Sequence, residues 1–268
     1  MTDQIMQRIK EHLEHYQSHF DNEWVGIFLQ GSQNYGLDYE GSDIDTKIIV
    51  LPKFEDIVLN RQPVSTTSVL PNNEHLDVKD IRLMFECFKK QNINFIEILF
   101  TKYLILNPVY EHLFRPVIDA RESIAHYNNF AAVSCMRGMI HEKRKILTKL
   151  HPSAQDVVSK YGYDGKQLHH MERILEFFGR YTSNASYDEC LLSQKREYLI
   201  SLKKNDLSLE QAVCRADEVV SEIDARAQEY VDRNALAINR DVDALLNSTL
   251  ASLLRACFLR EFHAEVSL

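Results

Sequence analysis

The chain has 268 residues, which is enough for one large domain or for two ordinary domains that each bury a core. Hydrophobic residues make up 45% of it and charged residues 26%, a balance that excludes a disordered or fibrous protein. A formal net charge of −8 excludes a protein whose whole surface binds nucleic acid, so any contact with a polynucleotide must be local.

The cysteines and the first residues indicate a reducing compartment. An odd number of widely spaced cysteines favours reduced thiols over a disulfide framework or a zinc cluster. The chain starts with a polar helical pattern rather than a basic region followed by an apolar run, and no stretch reads as long and apolar enough to cross a bilayer. We therefore expect a cytoplasmic protein with no membrane partner.

The first predicted elements are a helix and two strands. Apolar residues recur at helical spacing near the start of the chain: Ile5, Ile9, Leu13 and Tyr16. Trp24–Gln30 is a short apolar run that ends at Gly31, and the β-branched run over residues 44–51 ends at Pro52. Because only a turn-rich segment separates the two runs, we expect two neighbouring strands of one sheet.

The rest of the chain changes from mixed to helical patterning. A loop rich in Ser, Thr, Pro and Asn precedes a third predicted strand at residues 75–78, and a helix is expected to follow it. Helical spacing is interrupted near residues 92–94, and almost everything beyond residue 108 is helical in pattern. The expected fold class is an α/β (α+β) domain with a short mixed sheet, residues 1–115, followed by an all-helical domain, residues 116–268.

The sharpest motif joins the first two strands. Gly31 and Ser32 end the first strand, and after ten intervening residues Asp43-Ile44-Asp45 opens the second. Gly31 allows the backbone to turn tightly and to approach a ligand, while Ser32 offers a hydroxyl and an amide to a phosphate oxygen. These features predict a cradle for a triphosphate.

Asp43 and Asp45 predict a divalent metal site. Residues two apart on a strand project their side chains from the same face, about 7 Å apart along the backbone. Two adjacent carboxylates repel each other unless a cation lies between them, and oxygen ligands favour Mg²⁺ or Mn²⁺ over zinc. Two such ions roughly 4 Å apart can activate an attacking hydroxyl and neutralise a departing pyrophosphate, which is the chemistry of nucleotidyl transfer.

A third carboxylate is expected from a neighbouring strand. Asp77, between Leu76 and Val78, is the candidate whose alternation points it away from the core. Its role would be to bind the catalytic metal and to orient or deprotonate the acceptor. Glu74 and Asp80 are rivals, although Asp80 suits a helix cap better.

Each half of this motif also has a simpler explanation. A Gly-Ser pair is common, and an Asp-x-Asp at the end of a strand is often a solvated turn. The combination and the order of the two halves favour the metal-dependent interpretation, because the Gly-Ser pair ends one predicted strand and the acids start the next.

A second cluster lies in the helical half. Lys166, His170 and Arg173 are spaced i, i+4, i+7 and therefore share one face of a helix. If that face covers a nucleotide, Lys166 and Arg173 neutralise the triphosphate and His170 donates a hydrogen bond to a phosphate or to the base. The alternative is an ordinary solvated helix face.

Another helix is the best candidate for a local patch that binds RNA or tRNA. Arg137, His141 and Arg144 have the same i, i+4, i+7 spacing. Further lysines lie nearby: Lys143, Lys145 and Lys149. A solvated helix of mixed charge explains this pattern equally well.

Both motifs resemble one known family. Residues 31–37, GSQNYGL, and residues 42–45, SDID, are similar to the G-S-x-x-Y-G-L and S-D-x-D of the RNA repair pathway branch of the DNA polymerase beta superfamily of nucleotidyltransferases. In the helical half, residues 161–166, YGYDGK, followed by His170 and Arg173, resemble that family's G-Y-D-x-K and H-x-x-R. The resemblance covers most of residues 20–225.

The resemblance implies a substrate, a cofactor and a set of site residues. The residues implied in NTP binding are Gly31, Ser32, Tyr35, Lys166, His170 and Arg173. Those implied in catalysis and in binding Mg²⁺ or Mn²⁺ are Asp43, Asp45 and Asp77. It also implies a helical domain that closes over the nucleotide, and RNA or tRNA ends as the acceptor. Two segments, Thr46-Lys47-Ile48 and Gln167-Leu168, differ from the residues found in many relatives. The resemblance therefore implies the class of reaction but not the subgroup of substrates.

The expected function is transfer of a nucleoside monophosphate from an NTP to an acceptor hydroxyl, with release of pyrophosphate. A protein hydroxyl, a small molecule or another nucleotide would suit the same core as acceptor. A nucleotide-binding regulator or toxin-antitoxin component on this fold is the main alternative. A metal-dependent nuclease is a further one, which would need similar acids but no triphosphate cradle.

Overall fold

In the computed structural model, which describes residues 2–39, 41–152 and 154–266, a five-stranded mixed sheet lies in the N-terminal part of the chain and helices make up most of the remainder. This is the fold class expected from the sequence. The helices are α1 (Thr2–His19), α2 (Phe54–Val58), α3 (Ile81–Lys89), α4 (Ile93–Ile96), α5 (Glu111–Asp119), α6 (Arg121–Ala125), α7 (Asn129–Ile146), α8 (Gln155–Tyr161), α9 (Gly165–Tyr181), α10 (Tyr187–Leu191), α11 (Arg196–Lys203), α12 (Leu209–Arg233) and α13 (Arg240–Val266).

The sheet has the strand order β3-β4-β2-β1-β5. Its strands are β1 (Trp24–Gln30), β2 (Asp45–Val50), β3 (Ser65–Val69), β4 (His75–Asp80) and β5 (Leu104–Leu106). β2 and β4 run parallel, and the other neighbours run antiparallel. β1, β2 and β4 are the three strands predicted from the sequence. β3 and β5 were not expected, because β3 is a mostly exposed edge strand of polar residues and β5 has only three residues.

An apolar core lies between α1 and one face of the sheet. Ile5, Ile9 and Tyr16 of α1 are buried against alternate strand residues. These strand residues are Ile27, Leu29, Ile48, Val50, Leu76 and Val78. Full burial of one such side chain stabilises the fold by about 1.5–3 kcal/mol. The helix predicted from the spacing of the first apolar residues is thereby confirmed.

Two helix starts follow from capping side chains. The Asp80 carboxylate accepts a hydrogen bond from the backbone N of Arg82 at 2.9 Å and caps α3. The Asn92 side chain accepts one from the backbone N of Asn94 at 3.1 Å and caps α4. Both helix boundaries agree with the sequence pattern, since Asp and Asn are favoured cap residues.

The chain divides into two compact units. The sheet unit comprises Met1–Asn34, Asp38–Tyr127 and Asn239–Leu268, and the helical unit comprises Tyr35–Leu37 and Asn128–Ile238. Residue 115, after which the sequence pattern placed the domain boundary, lies inside α5. The change of pattern along the sequence could not show that α13 returns to the sheet unit, where it packs against α5 and α3.

Within α13, Arg240–His263 is long and apolar enough to cross a membrane by length and composition, contrary to the sequence expectation. The buried residues of this helix recur at spacings of three and four: Val242, Leu246, Thr249, Leu253 and Cys257. Such a stripe is typical of a helix that packs along one side. The helix α13 makes contacts with α3 and α5.

The helical unit is built around α9, which contacts α7, α10, α11 and α12. Gly165, at the start of α9, has no room for a side chain, because an added Cβ would lie 2.1 Å from the carbonyl O of Leu202. His169 is buried in the same helix, with its Nδ1 2.8 Å from the carbonyl O of Leu199. Nδ1 must therefore carry the proton that it donates, and the ring is held between α9 and α11.

Acidification is expected to destabilise the fold through His169. Burial lowers the pKa of His169 to about 4, although its hydrogen bond to Leu199 opposes this shift. Below pH 6.5 this histidine is protonated in the unfolded chain but stays neutral in the folded protein. The contribution of His169 to stability is therefore fully present above that pH and decreases as the pH falls toward 4. The loss at about pH 5 should be roughly 2 kcal/mol.

Urea unfolding of the wild type and of His169→Gln at about pH 7.5 and about pH 5 would measure the contribution of His169 to this loss of stability. The variant should lose about 2 kcal/mol less on acidification than the wild type, whatever its stability at neutral pH. Equal losses in the two proteins would show that His169 does not carry the pH dependence.

Candidate functional site

The Gly-Ser turn and the Asp-x-Asp motif lie at the same end of two paired strands. β1 ends at Gln30, whose partner across the antiparallel pair is Asp45, the first residue of β2. The side chain of Gln33, in the turn after β1, donates from Nε2 to the carbonyl O of Asp43 at 2.9 Å. The two halves of the motif, ten residues apart in the sequence, are therefore joined in space.

The turn after β1 is held by its own hydrogen bonds. Gly31 has φ +92° and an open Cβ position, so backbone conformation rather than space favours glycine there. Asn34 donates from its backbone N to Gly31 O at 3.0 Å and from Nδ2 to Leu29 O at 3.0 Å. The amide of Gly31 donates to the carboxylate of Glu97 at 3.4 Å. A phosphate at this turn would therefore rely on Ser32, because the amides of Gly31 and Asn34 are already bonded.

The two motif acids differ in their surroundings. Asp43 is exposed, and no described residue donates a hydrogen bond to its carboxylate. Asp45 Oδ1 accepts a hydrogen bond from the backbone N of His75 at 2.8 Å and lies 3.2 Å from His75 Nδ1. No local pattern predicted a partner for His75, because this contact depends on the parallel alignment of β2 and β4.

Asp77 lies on the same face of the sheet but belongs to a different cluster. Its cross-strand partner is Lys47, which is only 3% exposed. Lys47 Nζ lies 3.1 Å from Asp77 Oδ2, 2.7 Å from Gln30 Oε1 and 4.6 Å from the ring centroid of Phe95. The hydroxyl of Thr67 donates to Asp77 Oδ1 at 2.5 Å, so both carboxylate oxygens are engaged.

This environment keeps Asp77 ionised as a counter-charge for Lys47. Burial raises the pKa of Asp77, but the charge of Lys47 and the hydrogen bonds from Thr67, Gln30 and Lys47 outweigh burial and hold that pKa below its usual value. Breaking such a pair would leave a buried lysine without compensation, which is strongly unfavourable.

The three predicted metal ligands are not gathered into one set. Among residues 2–39, 41–152 and 154–266, no group of three or more His, Cys, Asp or Glu side chains is arranged to hold a metal ion. A set that includes Asp77 does not fit, because its oxygens are bonded to Lys47 and Thr67. Asp43 and Asp45 still match the way Mg²⁺ is commonly held, by one or two carboxylates together with substrate phosphates.

The two rivals of Asp77 have structural roles. Glu74 lies on the side of α1, where its Oε2 is 2.9 Å from His12 Nε2 and 2.6 Å from Arg8 Nη2. Asp80 is buried and binds Arg82 at 2.6 Å in addition to capping α3. The preference for Asp80 as a helix cap is confirmed.

Arg173 is a buried cation of the helical unit. It is only 4% exposed, and its guanidinium carbon lies 3.9 Å from the ring centroid of Tyr35. Its Nε and Nη1 atoms are buried, and no described residue accepts a hydrogen bond from them. Tyr35 is itself fixed in this unit, since its carbonyl accepts from the backbone N of Ser193 at 3.2 Å.

The other two members of the predicted face differ from Arg173 in exposure. Lys166 is exposed and His170 is partly buried. Burial lowers the pKa of His170 well below its usual value, and the positive charges of Arg173, Lys166 and Lys143 add to this effect. His170 is therefore a neutral imidazole surrounded by cations.

The predicted RNA-binding patch is largely paired within the protein. Arg137 Nε and His141 Nε2 lie 2.6 and 2.8 Å from Asp224 Oδ1, and Arg144 Nε lies 2.6 Å from Asp217 Oδ1. These ion pairs connect α7 with α12. The three side chains thus have a structural explanation, which corresponds to the mixed-charge helix considered as the alternative.

Removing the charge of Asp77 is expected to affect stability more than any site chemistry. Asp77→Asn should lower the free energy of unfolding by about 3–5 kcal/mol, because it leaves Lys47 buried and unpaired. The added substitution Lys47→Met should recover much of that loss. Asp45→Asn, at a partly exposed position, should cost about 1 kcal/mol or less. An Asp77→Asn protein as stable as the wild type would contradict the structural role.

Replacing Arg173 is expected to have the opposite effect on stability. Arg173→Met should leave the ligand-free protein at least as stable as the wild type, because it removes a buried cation without a carboxylate partner. Thermal unfolding with inorganic pyrophosphate should show a smaller stabilisation of the variant than of the wild type. Arg226→Met is the matched control, since Arg226 also stacks on an aromatic ring, of Phe178, but pairs with Glu222 at 3.0 Å. A marked loss of stability in Arg173→Met alone would assign Arg173 to the fold.

Comparison with known proteins gives a distant structural likeness only. The chain matches no protein-family model, and no curated protein matches it in sequence. Among solved structures it is similar to a nucleotidyltransferase-like protein from Exiguobacterium sibiricum 255-15, with 10% sequence identity, a TM-score of 0.32 and coverage of 96% of this chain and 91% of that chain. At this TM-score the likeness carries no inference about function.

Proposed function

We propose that the protein is a nucleotidyltransferase that moves a nucleoside monophosphate from an NTP to an acceptor hydroxyl and releases pyrophosphate. One observation carries the proposal. The pairing of Gln30 with Asp45 places the turn of Gly31 and Ser32 beside Asp43 and Asp45 at one end of the sheet. A phosphate-binding turn beside two carboxylates is the minimum that this chemistry requires.

The hydroxyl and the amide of Ser32 are proposed to bind the triphosphate. Ser32 is partly exposed, and its hydroxyl makes only a long contact of 3.4 Å with Gln33 Oε1. The bonds of Asn34 to Gly31 and Leu29 fix the backbone of the turn before any ligand arrives. A fixed donor set avoids the entropic cost of ordering a loop around the phosphates.

Asp43 and Asp45 are proposed to hold the divalent cation, Mg²⁺ or Mn²⁺. When bound, such a cation would neutralise charge on the pyrophosphate that leaves. Asp45 is oriented for this role by the amide of His75. Asp43, with no described donor on its carboxylate, is the side chain available to accept a proton.

The proposed reaction exchanges one bond at phosphorus for another. The acceptor oxygen forms a bond to the α-phosphorus of the NTP, and the bond from that phosphorus to the bridging oxygen of the β-phosphate breaks. Pyrophosphate leaves with the electron pair of that bond, and Asp43 takes the hydroxyl proton of the acceptor. RNA or tRNA ends are the first acceptors to test. Lys145 on α7 and Lys149 just after that helix are exposed and remain available to a polyanion, although the arginines of α7 are paired.

A separate observation in the helical unit supports an anionic ligand. A buried guanidinium whose Nε and Nη1 have no described acceptor is costly unless an anion approaches it, and Arg173 is such a group. Together with Lys166, His170 and Tyr35 it forms the proposed nucleotide contacts of this unit.

The test is incubation of the purified protein with each labelled NTP, Mg²⁺ and either total RNA or total protein. Label should enter one acceptor pool, and Asp43→Asn and Asp45→Asn should each reduce transfer by roughly a hundredfold or more, because each removes a charged ligand of the cation. Asp21→Asn, which changes an exposed carboxylate paired with Lys53, should leave transfer unchanged.

Ser32→Ala distinguishes binding from chemistry. It should raise the KM for NTP by roughly tenfold with a smaller change in kcat, since a hydrogen bond to a charged phosphate is lost. Transfer that survives in both aspartate variants would refute the proposal. NTP binding without transfer to any acceptor would indicate a nucleotide-binding regulator instead.

A further inference from the structure

A cavity of about 500 Å³ lies within the helical unit, between α7, α8, α9 and the segment after α11. Three lysines from different helices line it, together with two histidines and one glutamine: Lys143, Lys166, Lys203, His151, His170 and Gln167. We call this cavity the lysine pocket. Its volume is within the range of about 300–1,000 Å³ typical of small-molecule sites.

The positive charge of the lysine pocket is only partly offset by the protein. Asp164 is the acidic residue among its lining groups, and it serves as the cap of α9 by accepting a hydrogen bond from the backbone N of Lys166 at 3.0 Å. Among the described residues, the ion-pair partner of Lys143 is Glu142, at a long distance of 3.7 Å. No described residue forms an ion pair with Lys166. The pocket therefore favours an anion.

Gln167 adds a requirement for a hydrogen-bond donor. It is only 7% exposed, and its Nε2 donates to Asp164 Oδ2 at 2.6 Å. That bond fixes the orientation of the amide, because an oxygen could not lie so close to a carboxylate oxygen. Oε1 is then left buried, and no described residue donates to it. A buried carbonyl without a donor is unfavourable, so a ligand that offers a hydroxyl would satisfy it.

We infer that the lysine pocket binds a phosphorylated ribose, free or within a nucleotide, with its phosphate against Lys143, Lys166 and Lys203 and a sugar hydroxyl donating to Gln167 Oε1. Phosphate matches the lysines in charge, and a hydroxyl on the same molecule matches the buried acceptor. The inference rests on the proposed function only in sharing Lys166 and His170 with the proposed nucleotide contacts. Asp43 and Asp45 have no part in it.

Calorimetric titration of the full chain with ribose 5-phosphate, orthophosphate, ribose and AMP at constant ionic strength tests this inference. Ribose 5-phosphate should bind more tightly than orthophosphate, and ribose should not bind measurably. The double variant Lys143→Gln, Lys203→Gln should weaken ribose 5-phosphate by roughly tenfold or more. AMP that binds more tightly than ribose 5-phosphate would assign the site to a nucleotide, and equal binding would assign it to a sugar phosphate.

The matched control is the double variant Lys145→Gln, Lys149→Gln. It removes the same charge from nearby positions that do not line the pocket, so its effect should be roughly twofold or less. Gln167→Met should abolish the preference for ribose 5-phosphate over orthophosphate while orthophosphate still binds. If that variant does not fold, the lysine pairs alone decide the question.

Two results would overturn the inference. One is no binding of ribose 5-phosphate to the wild type at millimolar concentration. The other is an equal loss of affinity in the two lysine double variants, which would indicate a general charge effect. The two proposals can fail separately. If ribose 5-phosphate binds to the wild type and to the double variant Asp43→Asn, Asp45→Asn but the wild type transfers no nucleotide, the pocket is supported and nucleotidyl transfer is rejected. If the wild type transfers a nucleotide but does not bind ribose 5-phosphate, transfer is supported and the pocket is rejected.

Discussion

The antiparallel register of β1 and β2 fixes both the core and the candidate site. Side chains alternate between the faces of a sheet, so the pairing of Gln30 with Asp45 directs Ile48 toward α1 and leaves Asp45 and Lys47 on the opposite face. A slip of one residue would exchange the faces and place Lys47 among the apolar residues that pack on α1. Hydrophobic burial, which stabilises the sheet, thereby also sets the position of the acids relative to the turn at Gly31.

The burial of Lys47 explains why the predicted carboxylates do not form one set. A lysine ammonium removed from water needs a counter-charge, because the desolvation of an unpaired ion costs on the order of several kcal/mol. Asp77 is its partner across β2 and β4, and Gln30 and Thr67 supply the remaining hydrogen bonds. The same alternation that pointed Asp77 away from the core also brought it beside Lys47. A correct prediction of the face therefore did not determine the role of the side chain.

Local patterns predicted the centre of the sheet, the motif at its end and several helix starts. They could not predict β3, whose polar residues are exposed at the edge, or the return of α13 to the sheet unit, because both depend on contacts between distant parts of the chain. For the site, spacing placed Gly31 and Asp45 at the ends of neighbouring strands. The contact of Asp45 with His75 and that of Lys47 with Asp77 depend on the alignment of β2 with β4, which no single segment of sequence encodes.

Ion pairing divides the cations of the helical unit into two groups. Arg137 and Arg144 bind carboxylates of α12 at 2.6 Å, and the planar guanidinium suits such contacts. Lys166 has no ion pair with a described residue, and Arg173 is buried against an aromatic ring rather than an acid. Burial keeps His170 neutral, and these charges together with that of Lys143 add to the effect, so the field around α9 is positive and only partly compensated. Because uncompensated charge in a partly desolvated site is unfavourable, its presence around one helix favours an anionic ligand for this unit, whatever reaction the sheet unit performs.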